Sequence, residues 1–374
     1  MGDTEPKAPS LTQRRELERA KAADSIDQND ALDEPSKIDA MAKSRGWFSA
    51  DTALLDAYLA GDVDASATVS KLAEPIEEAY SSADHGAALY NEEMVARNQR
   101  KFWSPEEALE RWGPQQDVPK PNEETANLPS AESQLWSLWY GILHAAKRIP
   151  WTDEAQQNKL LDLVKAIKAR SDPSPPSPIT VALKKNWIWQ SGTLWSSLTM
   201  LGPSARESWN DACGYGSGWT TTEQHAWTNV NAFVARLTAS GTSNFEAYAI
   251  WALRDALEAE IEHGSLHHDA SDLTQLGLLL TVASVWVHVA GKYLYEHHSS
   301  EEKSGQVDVD VDLAARGKTL PWAQATNGPA FVDARWDFWR RRFAQEGQNE
   351  KLSKEVRELA AKSAEIIDGF TKSM

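Results

Sequence analysis

Glu260, His263 and His267 stand at intervals of three and four, so an unbroken helix would present all three on one face. Two imidazoles and a carboxylate placed this way are a ligand set for Zn²⁺ or Fe²⁺. Gly264 and Ser265, however, fall between the two histidines and interrupt that helix. His263 then becomes a last-turn residue facing the helix dipole, and His267 and His268 pass into a loop. A metal site also needs neighbours that orient its imidazoles, and none can be picked out. No metal and no cofactor is therefore expected.

The other candidates for chemistry fail on spacing. Gly214-Tyr-Gly-Ser-Gly218 lacks the G-x-G-x-x-G pattern of a dinucleotide loop. Tyr215 stands where the first glycine of a G-x-S-x-G nucleophile elbow belongs. The run reads as a turn between two helices. Cys213 beside it would need His225 as a base, but no spacing rule joins the two, and a lone cysteine is more often a small buried hydrophobe. Gly317-Lys-Thr319 resembles the end of a phosphate loop, yet Asp312 occupies the position of its first glycine. His144 and His288 lie in apolar helical runs, where hydrogen-bonded core histidines are expected.

What remains is aromatic. The chain holds 17 tryptophans, concentrated from Trp136 onward, and tryptophan gathers in cores, at interfaces and on pocket walls. Trp187, Trp189 and Trp195 cannot all share one helical face, so at least one is expected at a pocket or interface. In Arg335-Trp-Asp-Phe-Trp-Arg-Arg-Arg-Phe343 the residues Trp336, Trp339 and Phe343 form one stripe. Arginines around such a stripe can build an anion or partner site through cation–π stacking. The plainer reading, an aromatic core face whose arginines pair with surplus acids, is preferred. Because tryptophan and arginine dominate interface hot spots, the partner or ligand contacts expected are Trp187, Trp189, Trp195, Trp336, Trp339 and Arg340.

A formal charge of −17 argues against general binding to nucleic acid or anionic membranes. One cysteine excludes an internal disulfide and fits a reducing compartment. The opening residues show no basic and apolar signal-peptide pattern. A cytoplasmic location is expected, with the nucleus left open. The most apolar stretch, Leu276 to Ala290, falls short of the roughly 20 residues that a bilayer requires, so it is expected to form a buried core helix.

The elements that must position these residues are helical. Residues 1–46 contain no aromatic side chain and many charges, which predicts a disordered tail. From Trp47 onward, apolar residues recur at three and four between proline-rich loops. Ser104-Pro-Glu-Glu and Thr220-Thr-Thr-Glu223 read as helix starts. Further helices are expected over 187–201, 205–212, 222–238, 244–263, 271–296, 333–346 and 353–370. Pro75 is expected to kink or split a helix over 65–81. Val307 to Asp312 alternates as a strand would. The fold class expected is all-α: a single large irregular helical array over 47–374, behind the charged tail.

Leu135-Trp-Ser-Leu-Trp-Tyr-Gly-Ile-Leu-His-Ala-Ala-Lys147, Asn244-Phe-Glu-Ala-Tyr-Ala-Ile-Trp-Ala-Leu-Arg-Asp-Ala-Leu-Glu258 and the 335–343 run together resemble a fungal family of unknown function, DUF3632. Asp56-Ala-Tyr-Leu and Lys71-Leu-Ala-Glu-Pro-Ile76 resemble its front end, and the likeness extends over most of 47–368. It implies a fungal, intracellular, mostly helical protein and supplies neither an activity nor functional residues. The function expected is thus non-enzymatic: a protein-interaction or accessory role. The alternative is a small-molecule binder or enzyme with a tryptophan-lined apolar pocket, of the kind that serves fungal secondary metabolism.

Overall fold

Helix starts in this chain follow side chains able to accept from a first-turn N–H. Asp33 accepts from the Ser36 N–H at 2.9 Å, and Ser104 with Glu107 and Thr220 with Glu223 form reciprocal capping boxes. Gly46 and Gly61 end two helices in the left-handed conformation, with φ of 79° and 93°. The computed structural model describes residues 10–81, 86–121, 129–174, 193–258, 270–298 and 331–372.

The fold is all-α. The described residues form α1 (Leu11–Asp27), α2 (Glu34–Arg45), α3 (Ala53–Ala60), α4 (Ala65–Ser81), α5 (Gly86–Arg100), α6 (Pro105–Trp112), α7 (Ala131–Arg148) and α8 (Glu154–Lys168). They continue as α9 (Leu201–Ser208), α10 (Thr221–Ala239), α11 (Glu246–Leu257), α12 (Asp272–His298), α13 (Asp333–Glu346) and α14 (Lys354–Thr371). No strand occurs among them beyond an isolated bridge between Cys213 and Ser217. The alternating run 307–312 lies outside the described residues. α4 runs on through Pro75 without being split.

The chain divides into two compact units. Unit one draws on Met1–Ser49, Ala146–Leu161 and Asn210–Met374; unit two draws on Ala50–Ala145 and Asp162–Trp209.

In unit one, part of the predicted tail is ordered helix. Ile38, Met41 and Ala42 recur at three and four and are fully buried. The charges that suggested disorder find partners on or beside α10. The Asp27 carboxylate accepts from the Thr222 N–H at 2.8 Å, Glu34 meets His225 at 2.7 Å and Arg45 meets Glu223 at 2.7 Å. Local composition missed these pairings because each partner lies far along the chain.

The 27-residue α12 packs against α10, α11 and α14. It is long and apolar enough to cross a membrane by length and composition, so the expectation of a stretch too short to span underestimated it. Polar turns at both ends prolong the helix beyond the apolar stretch. Its middle, Val282 to Val287, is buried within the unit, as a core helix requires. The buried Trp286 indole donates to Asn231 Oδ1 at 3.0 Å. Arg335 donates from Nε and Nη2 to Glu258 at 2.6 and 3.0 Å, and Trp339 donates to the same Glu258 Oε1 at 2.7 Å.

Unit two repeats that device. Trp195 donates to Glu77 Oε1 at 2.7 Å, and Arg170 donates to the other Glu77 oxygen at 2.8 Å. The hydrogen bond from Arg170 is the chief reason that the Glu77 carboxyl stays below the usual range, against the opposing pull of burial. Trp139 donates to the Thr199 carbonyl at 2.7 Å. A helix was expected over 187–201, but its described end, Thr193 to Met200, is a run of turns. Asp172 accepts from three successive N–H groups there, those of Leu194, Trp195 and Ser196, which bends the backbone around one carboxylate. Leu198 and Met200 take φ of 49° and 71° as the turns resolve into α9.

His288 departs from the expectation of a hydrogen-bonded core histidine. Its ring meets Trp151 edge-on at 5.9 Å, and its buried Nε2 has no hydrogen-bond partner among the described residues. Burial, then the nearby Lys362 charge, pushes the imidazole below its ordinary pKa. The unfolded chain therefore binds this proton at a pH where the folded chain does not, and stability falls as pH drops below about 6.5. In urea titrations between pH 7 and 5.5, His288→Gln is expected to flatten that acid slope; an unchanged slope would contradict it.

The two glycines of α12 described by their surroundings also differ. A Cβ on Gly291 would meet Phe370 at 3.3 Å, whereas a Cβ on Gly277 would meet only Val356, at 3.8 Å. Gly277→Ala is expected to stabilise the protein by about 1 kcal/mol through helix propensity alone. Gly291→Ala is expected to fall short of that gain or destabilise. Denaturant midpoints read both, and equal gains would contradict the packing argument.

Candidate functional site

Of the nominated contact residues that the structure describes, Trp195, Trp336 and Trp339 are fully buried and serve as core, the reading preferred for the 335–343 stripe. The stripe formed by Trp336, Trp339 and Phe343 packs inward, and Arg335 within it is spent on Glu258. Arg340 is partly exposed and pairs with Asp337 at 2.8 Å on its own helix. Trp187, Trp189, Glu260, His263 and His267 lie outside the described residues. Among the described residues no group of three or more His, Cys, Asp or Glu side chains is placed to hold a metal.

Cys213 is unsuited to attack. Burial, reinforced by Glu223, pushes its thiol far up, so it stays protonated. The adjoining glycine turn is closely packed at Gly218. A Cβ on Gly218 would press on the Arg45 guanidinium and the Glu223 carboxylate, at 2.6 and 2.9 Å. Glu223 in turn accepts from the Gly218 and Thr220 N–H groups at 2.8 and 3.0 Å. These glycines allow close approach within the fold and cradle no phosphate.

Tyr215, on that turn, is 81% exposed; the other exposed large aromatics among the described residues sit together in unit two, at the turn between α5 and α6. Phe102 is 79% exposed and Trp103 39%, with Val95 and Leu109 on the flanking helices at 53% and 58%. The turn is held at both ends. On the α6 side, the Ser104–Glu107 capping box fixes the first turn. On the α5 side, Arg100 donates to the carbonyls of Trp112, Gly113 and Pro114 at 3.0–3.2 Å, answering the end of α6. Arg100 also meets the buried Glu93 at 2.8 Å, and Arg97 meets it at 3.3 Å. Burial alone would raise the Glu93 carboxyl; its hydrogen bonds, led by Arg100, outweigh burial and hold it below the usual range. The Arg111 guanidinium lies 3.8 Å over one face of Trp103.

A signal for this turn was present in the sequence. Phe102 and Trp103 directly precede the helix cap Ser104. A hydrophobic residue there normally packs on the fourth residue of its helix, but that residue is Ala108, too small to cover an indole.

A family model described as a protein of unknown function, DUF3632, matches residues 139–343. No curated protein and no solved structure matches the chain. Phe102 and Trp103 precede the matched residues, whereas Trp139, Glu258, Trp286, Arg335 and Trp339 lie within them. With more than half of its length inside that match, the chain belongs to the DUF3632 family.

Proposed function

We propose that this chain is a non-enzymatic interaction protein that engages a partner protein through the α5–α6 turn. The observation that carries the reading is a phenylalanine 79% exposed beside a tryptophan, on a turn clamped by a capping box and by Arg100. Exposed apolar clusters mark contact sites. A turn already fixed in shape loses little further freedom on binding, so more of the contact energy appears as affinity. The partner is a different protein, apolar where it meets Phe102. A net charge of −17 opposes docking of a second copy, and Glu106, Glu107 and Glu110 flank the aromatics on α6.

The test compares the chain with a Phe102→Ser/Leu109→Ser double variant as baits in extracts of the cells that express it. Both replaced side chains are exposed, so the variant should unfold at the same temperature. A retained protein is expected to bind the variant roughly 30-fold more weakly, the loss typical of a hot spot of about 2 kcal/mol. Identical retention by both baits would contradict the proposal. So would light scattering that shows self-association abolished by the double substitution.

A further inference from the structure

We infer that unit one holds a small-molecule site in the hollow between α10, α12 and α14, suited to an uncharged compound with an apolar body and a hydroxyl or N–H donor. Two half-open chambers of about 400 and 290 Å³ adjoin there, sharing His225, Thr228, Thr281 and Val356 in their walls. Together they reach the size range of small-molecule sites.

Gly277 is the residue that points to an occupant. Glycine is disfavoured inside a helix, and structures usually show why one is kept: a positive φ or a close neighbour. Gly291, on the same helix, has Phe370 against it. Gly277 has neither reason, and nor do Gly202 and Gly369, but of the three it is Gly277 that borders the larger chamber; a Cβ there would reach only Val356 at ordinary contact distance. The missing side chain keeps room for something that is not part of the chain.

The lining defines the chemistry. Leu278, Leu352 and Val356 supply apolar wall. Thr228 and Thr281 each donate their hydroxyl hydrogen to a carbonyl of their own helix at 2.8 Å, so what they turn to the hollow is lone pairs. Such acceptors suit a ligand donor. Anions are poorly served, because the nearby helix starts are already capped. The N–H groups of Thr221 and Thr222 meet Asp27 at 3.4 and 2.8 Å, and that of Val356 meets Ser353 at 3.3 Å. His225 is answered by Glu34, and the exposed Lys351 and Glu355 at the walls have opposite signs.

The experiment titrates the whole chain by ligand-observed NMR at neutral pH with three probes on one skeleton: 2-naphthol, 2-methoxynaphthalene and 2-naphthoate. Saturable binding of 2-naphthol is expected, about tenfold tighter than either analogue, since a site that accepts a hydroxyl rejects a partner lacking one. Gly277→Leu fills the larger chamber with a better helix former and should weaken 2-naphthol by about tenfold or more without lowering the unfolding temperature. Thr281→Val removes an acceptor at nearly constant shape and should bring 2-naphthol and 2-methoxynaphthalene to similar affinity. The inference is overturned if 2-naphthol shows no saturable binding up to its solubility, if 2-naphthoate binds most tightly, or if both substitutions leave the affinities unchanged.

Discussion

A buried indole N–H left without an acceptor forfeits about 1–3 kcal/mol, a cost that four of the five fully buried indoles among the described residues of the two units avoid. Trp139, Trp195, Trp286, Trp336 and Trp339 are all fully buried. Four of them reach acceptors 55 to 118 residues away in the chain. Each such bond selects one pairing of distant elements from the many that hydrophobic burial alone would allow. Both units arrive at the same solution, a glutamate oxygen shared by an arginine Nε and an indole: Glu77 with Arg170 and Trp195, Glu258 with Arg335 and Trp339. The arginine balances the carboxylate that the indole requires, which makes burial of the charge tolerable.

The division of labour among aromatic residues follows from this. Indoles tied to carboxylates inside a unit are committed to the fold, and the arginine-flanked stripe of α13 is among them. The proposed contact surface is built from residues that no such partner claims. Phe102 projects from a turn whose rigidity comes from Arg100 and Glu93, so in unit two the buried polar network and the exposed apolar group are parts of one arrangement. In unit one the open space lies beside α12, whose buried midsection anchors the helix while Gly277 near its start leaves the hollow unfilled.

Elements governed by neighbours in sequence were legible in the sequence. Ser104, Thr220 and Ser353 marked helix starts because a cap and its N–H lie three residues apart, and the 335–343 run read as a core stripe because its period is local. The rest depends on distant partners. α1 and α2 looked like a charged tail because Asp27, Glu34 and Arg45 meet groups on α10 nearly 200 positions later. The turns before α9 looked helical because nothing near Trp195 announces Asp172 across the proline-rich break. The exposure of Phe102 and Trp103 was implied by the small Ala108, a signal carried by an absent side chain and outweighed by the many tryptophans downstream.

The most direct test compares three substitutions within unit one: Trp286→Phe, Trp336→Phe and Trp339→Phe, each followed by urea unfolding. All three indoles are fully buried, but the Trp336 N–H has no acceptor among the described residues, whereas the other two do. The lost ring volume is common to the three. If acceptor pairing governs the fold, Trp286→Phe and Trp339→Phe cost about 1–3 kcal/mol more than Trp336→Phe, because the first removes the indole donor from Asn231 Oδ1 and the second leaves the buried Glu258 Oε1 to Arg335 alone. Three equal losses would show that burial of the rings alone holds the unit together.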